Sequence, residues 1–209
     1  MPRLSRDIVI TEKIDGTNAS IFIRETSGLE PMSRDSVAIV GNCEIFVGSR
    51  TRWITPQNDN YGFARWVREN APDLVDLGEG HHFGEWWGQG IQRNYGLNEK
   101  RFSLFNVDRW CHHLIKPQQV GESWDEASRT MVPKFQTPAP ACCDVVPVLY
   151  RGPFDTHRIE FEVDALHDFG SLASLGFMDP EGIIVYHIAG RVGFKKTIKD
   201  DDKAKGHQS

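Results

Sequence analysis

The chain has 209 residues, 39% of them hydrophobic and 25% charged, with a formal net charge of −5 at pH 7. That length sustains one full core with room for a small subdomain, and the balance is that of a folded protein rather than a disordered one. No apolar run approaches the roughly 18 residues of a membrane-spanning helix. The short stretch Ile8-Val-Ile10 after the opening residues is too brief for a signal-peptide core. An acidic chain does not hold nucleic acid by bulk charge, so any nucleic-acid chemistry here needs a local basic groove. The four cysteines, Cys43, Cys111, Cys142 and Cys143, lack metal-ligand spacing, and the adjacent pair is poorly placed for a mutual disulfide. Reduced thiols in a cytoplasmic compartment are expected.

In chain order, Ile8–Ile10 and Ala19–Arg24 read as strands around a polar loop, and Ser36–Val40 and Glu44–Val47 as a second pair joined at Gly41-Asn42. Tyr61–Asn70 carries Phe63, Trp66 and Val67 at helical spacing, with Pro72 as a stop signal. His82–Trp87 and Phe102–Val107 are the next strand candidates. Residues 116–142, rich in Pro, Gln, Ser and Thr, read as a surface excursion with one short helix. Val145–Tyr150 returns to strand. Asp155–Asp168 reads as a helix with Ile159, Val163 and Leu166 on one face, and Glu181–His187 and Arg191–Ile198 close the pattern as strands around Ala189-Gly190. The charged stretch 200–209 lacks apolar anchors and is expected to be a flexible tail, leaving one domain over 1–199. The fold class is α+β, antiparallel sheets with flanking helices.

Six segments carry candidate chemistry. Thr11-Glu-Lys-Ile-Asp-Gly-Thr-Asn18 places Lys13 at a strand-to-strand turn, where Gly16 lets the backbone approach a ligand. A lysine becomes a nucleophile once desolvation or neighbouring charge favours its neutral form. Gly48-Ser-Arg-Thr-Arg52 offers guanidinium forks that suit phosphate. Phe83-Gly-Glu-Trp-Trp87 sets Glu85 in an apolar strand, where a carboxylate needs a partner or a task. Phe102–Asp108 alternates aromatics, one of which could stack on a purine. Pro180-Glu-Gly-Ile-Ile-Val185 leads an apolar strand with Glu181. Phe194-Lys-Lys-Thr-Ile-Lys199 adds lysines; strand alternation puts Lys195 and Lys199 on one face and Lys196 on the other. Singly, each also reads as an ordinary turn, salt bridge or core strand. His81–His82 and Cys111-His-His113 lack a fourth zinc ligand at sensible spacing.

The order and spacing of the six, over residues 11–199, resemble the collinear motifs of the covalent nucleotidyltransferase superfamily of DNA ligases, RNA ligases and mRNA capping enzymes. Three details resemble the RNA ligase family, nearest its bacteriophage double-strand RNA ligase branch. The lysine motif continues into Thr17-Asn18, the Glu85 motif runs on into Gly88-Gln-Gly-Ile-Gln-Arg-Asn94, and the sequence ends after the lysine strand without an OB domain.

The resemblance implies an adenylyltransferase domain of ligase type with ATP-grasp-like architecture. It implies an ATP-dependent RNA ligase that joins 3′-hydroxyl and 5′-phosphate ends through lysyl-AMP and adenylylated RNA, in RNA repair, in the cytoplasm, with a phage-encoded enzyme acting in its host's cytoplasm as one form of this. Lys13 is then the nucleophile. Asp15 and Glu181 hold hydrated Mg²⁺ or Mn²⁺, Glu12 reads the adenine edge, and Glu85 contacts ribose or metal waters. Phe105, with Phe102 second, stacks on adenine; Arg50 and Lys195 hold phosphates; Asn18 lies near the reacting RNA end. The family spaces its two lysines by one residue, whereas Lys195 and Lys196 are adjacent here, so the second basic role falls to Lys196 or Lys199. The competing readings are a DNA ligase of the same superfamily and a catalytically silent nucleic-acid-binding module. A binding module has no need of a nucleophile.

Overall fold

A computed structural model describes residues 6–27, 33–112 and 116–199; the expected tail over 200–209 and His113 lie outside them. The chain divides into two compact units. One holds residues 1–16, 87–100 and 146–209, the other residues 17–86 and 101–145.

The first unit is built on a four-stranded antiparallel sheet. Its strands are β1 (Asp7–Lys13), β12 (Val148–Pro153), β13 (Gly182–His187) and β14 (Val192–Thr197), in the order β12-β1-β13-β14. Central strands are apolar on both faces, and β1 obeys this: Ile8, Val9 and Ile10 are all buried. Helix α3 (Thr156–Phe169) lies on one face, packing Val163 and Leu166 against Ile8, Ile10, Ile183 and Val185, with Ile159 at the margin. Each fully buried aliphatic side chain there contributes about 1.5–3 kcal/mol. Asp155 caps the helix by accepting a hydrogen bond from the His157 N–H at 2.9 Å, and Gly170, at φ 83°, ends it. Gly182 is obligatory where β13 meets its neighbours. Its φ is 150°, and a Cβ there would stand 2.2 Å from the Lys196 carbonyl oxygen and 2.7 Å from Thr197 Cα, both backbone atoms that cannot swing aside.

The second unit carries a seven-stranded sheet. Along it run β11 (Asp144–Val145), β7 (Lys100–Leu104), β6 (Gly80–Gly88), β2 (Thr17–Glu25), β4 (Cys43–Ser49) and β3 (Ser36–Val40), with β5 (Trp53–Ile54) paired to β4. Strands β2 and β4 alternate: Ile21, Ile23, Ile45 and Val47 are buried on one face, together with α1 (Phe63–Glu69), while Asn18, Ser20 and Phe22 point to the other. Gly84 has no side chain because a Cβ would meet the Phe102 ring at 2.6 Å and the Ser103 carbonyl at 2.4 Å. Phe102 can therefore pack on Phe63, with ring centroids 5.0 Å apart.

Several sequence expectations are corrected. The helix begins at Phe63, after Gly62 at φ 82°, and Pro72 does not stop it; Pro72 sits in the first turn of a second helix, α2 (Ala71–Leu74), where its missing N–H costs nothing. Strand β7 ends at Leu104, short of Val107. Residues 116–142 hold a hairpin of β9 (Gln118–Asp125) and β10 (Thr130–Pro138) instead of a short helix, and β10 also pairs in parallel with β8 (Trp110–Cys111). The strand expected at Val145–Tyr150 breaks into β11 and β12 at Val146-Pro147, since proline cannot donate to a ladder. Antiparallel sheets with few helices remain the architecture, and among the described residues no helix is long and apolar enough to cross a membrane.

Candidate active site

Lys13 is the last residue of β1, paired in register with Gly182, which in turn pairs with Thr197. Directly opposed residues of antiparallel strands share a face, so Thr11, Lys13, Ile184 and Lys195 lie on the side away from α3. Glu12, Ile183 and Lys196 lie on the helix side. Lys195 thus shares the face of Lys13, and Lys196 points the other way. The register agrees with the alternation expected from the sequence, which separates Lys196 from Lys195. Lys199 lies beyond the end of β14 and its ammonium donates to Asp179 at 2.6 Å, so it does not share a strand face with Lys195.

The Lys13 ammonium is ion-paired with Glu181, whose side chain is only 5% exposed against 19% for the lysine. A carboxylate this buried is tolerable only because it is paired. Gly182 makes that approach possible by letting Glu181 enter the sheet beside Lys13.

Asp15 follows, and its carboxylate accepts from Arg93 Nε at 3.0 Å. The same guanidinium donates to Asp179 at 2.8 Å. Burial works against the Arg93 charge, but Asp179 and Asp15 outweigh it and hold its pKa above the ordinary value. The Asp15 backbone N–H donates to the Tyr95 hydroxyl at 2.8 Å. Tyr95 is 1% exposed, and burial, with nearby Glu12, Asp15 and Glu181, raises its phenol well beyond the usual range. It therefore stays a neutral hydroxyl. Arg93 and Tyr95 sit in a turn where Gln92, Asn94 and Tyr95 all have positive φ, at 44°, 61° and 49°. Three non-glycine residues in that region store strain that surrounding contacts must hold, and the Gly90 N–H donating to Asn94 Oδ1 at 2.7 Å is one such contact. The sequence showed the Gly88–Asn94 run as a motif but gave Arg93, Tyr95 and Asp179 no role. Their signal was an arginine and a tyrosine inside a glycine-punctuated turn.

Glu12 is held within the first unit. It is 1% exposed, and both carboxylate oxygens are taken: Ser171 Oγ donates to one at 2.5 Å, and the Leu172 and Ala173 N–H groups donate to the other at 2.8 and 2.9 Å. The side chain pins the loop after α3. Burial raises its pKa, with the three hydrogen bonds pulling the other way. The folded protein then holds the Glu12 proton more tightly than the unfolded chain. Its contribution to stability must fall as pH rises from about 4.5 through the folded value. Melting of wild type and Glu12→Gln from pH 4.5 to 7 should therefore show wild type losing ground relative to the variant as pH increases. A constant difference across that range would refute the burial effect.

In the second unit, Asn18 faces Glu85 directly across the β2–β6 ladder. Arg50 follows β4 and is exposed. Phe105 lies just past β7, 40% exposed, its N–H donating to the Phe83 carbonyl at 3.0 Å. Phe102, the second stacking candidate, is 0% exposed and belongs to the core.

A family model described as RNA ligase matches residues 6–200. Solved structures of an RNA ligase from Naegleria gruberi match in fold. A lysine-to-alanine variant with ATP and Mn is 19% identical at a TM-score of 0.54, over 94% of this chain and 50% of that one. A glutamate-to-alanine variant, also with ATP and Mn, is 18% identical at 0.54, over 95% and 51%. A lysine-to-methionine variant with AMP and Mn is 18% identical at 0.52, over 94% and 51%. The chain thus spans about half the length of these structures. No curated protein matches it in sequence.

Proposed function

The chain belongs to the RNA ligase family, and on that premise we propose that it is an ATP-dependent ligase, a nucleotidyltransferase that seals RNA ends by way of a lysyl-AMP intermediate on Lys13. The observation that carries the proposal is the Lys13–Glu181 pair: a lysine at a strand end, one-fifth exposed, held by a buried carboxylate on the face it shares with Lys195. First, Lys13 Nζ attacks the α-phosphorus of ATP; a P–N bond forms, the bond to the β-phosphate breaks, and pyrophosphate leaves with the lysine proton passing to solvent. Second, a 5′-phosphate oxygen of RNA attacks the AMP phosphorus and breaks the P–N bond. Third, the 3′-hydroxyl oxygen attacks that 5′-phosphate and AMP departs.

The residues fit a divalent cation. Glu181 and Asp15 are hard oxygen donors, the kind an ion that keeps most of its water would take. Mg²⁺ or Mn²⁺ held there would offset charge developing on phosphate oxygens. Manganese accompanies nucleotide in the Naegleria structures. Glu181 and Asp15 would hold it together, each giving up an ion pair, with Lys13 and with Arg93, to the cation. Lys195 would steady the α-phosphate, while the family resemblance gives Arg50, Glu85 and Phe105 nucleotide contacts and Asn18 the RNA end.

The test is a set of nicked duplexes differing only in the two sugars on the 3′-hydroxyl side, incubated with ATP and Mg²⁺. RNA-terminated nicks should seal, with DNA tolerated on the 5′-phosphate side, because A-form shape and 2′-hydroxyls distinguish RNA locally. Equal sealing of all-DNA nicks would favour a DNA ligase. Self-labelling without any sealing would leave only the first step.

A further inference from the structure

The face of the second unit's sheet that carries Asn18 and Glu85 does not end with them. Farther along β6 the same face bears Phe83 and His81; β2 adds Phe22, β4 adds Phe46 and β5 adds Trp53. The rings touch in series. Phe83 lies 4.9 Å from His81, which stacks on Trp53 at 5.5 Å and 14°, and Phe22 and Phe46 close beneath at 4.9 to 6.1 Å. The opposite face is the aliphatic and aromatic core around α1, so these rings are not needed to close it. Phe83 at 51% exposure, Trp53 at 42% and His81 remain open to solvent, above a buried Phe46.

We propose that this face is a stacking platform for unpaired bases of the RNA strand being joined, a proposal that rests on RNA as the substrate. Alternate residues on a strand stand about 6.6 Å apart. A chain of unstacked, splayed nucleotides can span that repeat, whereas bases stacked in a duplex rise only about 3.4 Å. Phe83 and His81, two residues apart on β6, and Trp53 stacked beside His81 would therefore each meet a separated base. Single-stranded nucleic acid is held in this way, by aromatic faces that accept any base beside arginines that track the backbone. The arginines are in place. Arg50 and Arg52, both exposed, form the turn that delivers Trp53, and the Ser49 N–H fixes that turn by donating to the Arg52 carbonyl at 2.9 Å. Arg24 lies over the Phe46 ring at 5.5 Å, and its pairing with Glu44 cancels the buried acid on this face. For a chain of net charge −5, this is the local basic supply that nucleic-acid contact requires.

The test measures binding of a labelled single-stranded oligoribonucleotide and of the same sequence in a blunt duplex, alongside AMP self-labelling. Trp53→Ala and Phe83→Ala should each weaken single-strand binding roughly tenfold. Duplex binding and self-labelling should stay unchanged. Trp53→Phe should bind within about twofold of wild type, and Trp53→Leu, which keeps apolar area without a ring face, should behave like alanine. Should the alanine variants misfold, the phenylalanine and leucine pair decides alone. Unchanged binding in Trp53→Leu overturns the platform, as does a parallel loss of duplex binding or a wild-type dimer that the variants dissociate. Absence of AMP self-labelling in wild type, with ring-dependent RNA binding intact, would instead defeat the ligase reading and leave the platform standing.

Discussion

Lys13→Ala is expected to abolish covalent AMP, with no band surviving a denaturing gel after incubation with labelled ATP and metal. The other lysines near it are excluded by position. Lys196 points to the helix side of the sheet, Lys199 lies beyond β14 and is held by Asp179, and Lys195, although on the right face, stands exposed on an edge strand without a described carboxylate partner. Of these four, Lys13 is the one that combines partial burial with a buried carboxylate fixing its ammonium. Lys13→Arg separates chemistry from structure. It preserves the positive charge opposite Glu181, so the fold should hold, but a guanidinium keeps its proton and cannot attack phosphorus. It should be as inactive as alanine. Intact-mass analysis and peptide mapping of wild type check the assignment, and AMP mapped to any lysine other than Lys13 would refute it.

Periodicity made the first unit legible. Ile8 and Ile10 alternate about a central strand, Ile159, Val163 and Leu166 repeat at helical spacing, and the apolar run after Gly182 matches a buried strand, so sheet and helix are all written locally. The same alternation separates Lys195 from Lys196, a division the sequence suggested and cross-strand register decides. What stayed hidden depends on contacts between residues far apart in sequence. Glu12 and Ser171 are separated by 159 positions and Arg93 and Asp15 by 78, and no local pattern announces either pairing. A buried glutamate next to Lys13 invites a functional role, and its Ser171 partner is written only in the fold. The hairpin at 118–138 was missed for another reason. Its strands are mostly exposed, so they lack the apolar alternation by which a half-buried strand is recognised.

Glu181→Gln should lower the rate of self-labelling by on the order of 10²–10³-fold, the scale of losing one preorganised electrostatic contact to the transition state. Glutamine keeps the size of glutamate and its amide oxygen can still accept from the Lys13 ammonium, so the melting temperature should barely move. Two roles are then distinguishable. If Glu181 only positions Lys13, the variant's rate against Mn²⁺ concentration should keep its wild-type midpoint and fall in plateau alone. If Glu181 also holds the cation, the midpoint should move to higher Mn²⁺, because one of two hard donors has become a weaker, uncharged one. The proposed metal role predicts the second outcome. Both candidate donors are ion-paired, Asp15 with Arg93 and Glu181 with Lys13, and on the proposed mechanism Lys13 must shed its proton and its partner before it attacks. A cation taking the place of that ammonium at Glu181 would free Lys13 when nucleotide arrives. An unshifted midpoint would defeat the metal role and leave Glu181 as a residue that only orients the nucleophile.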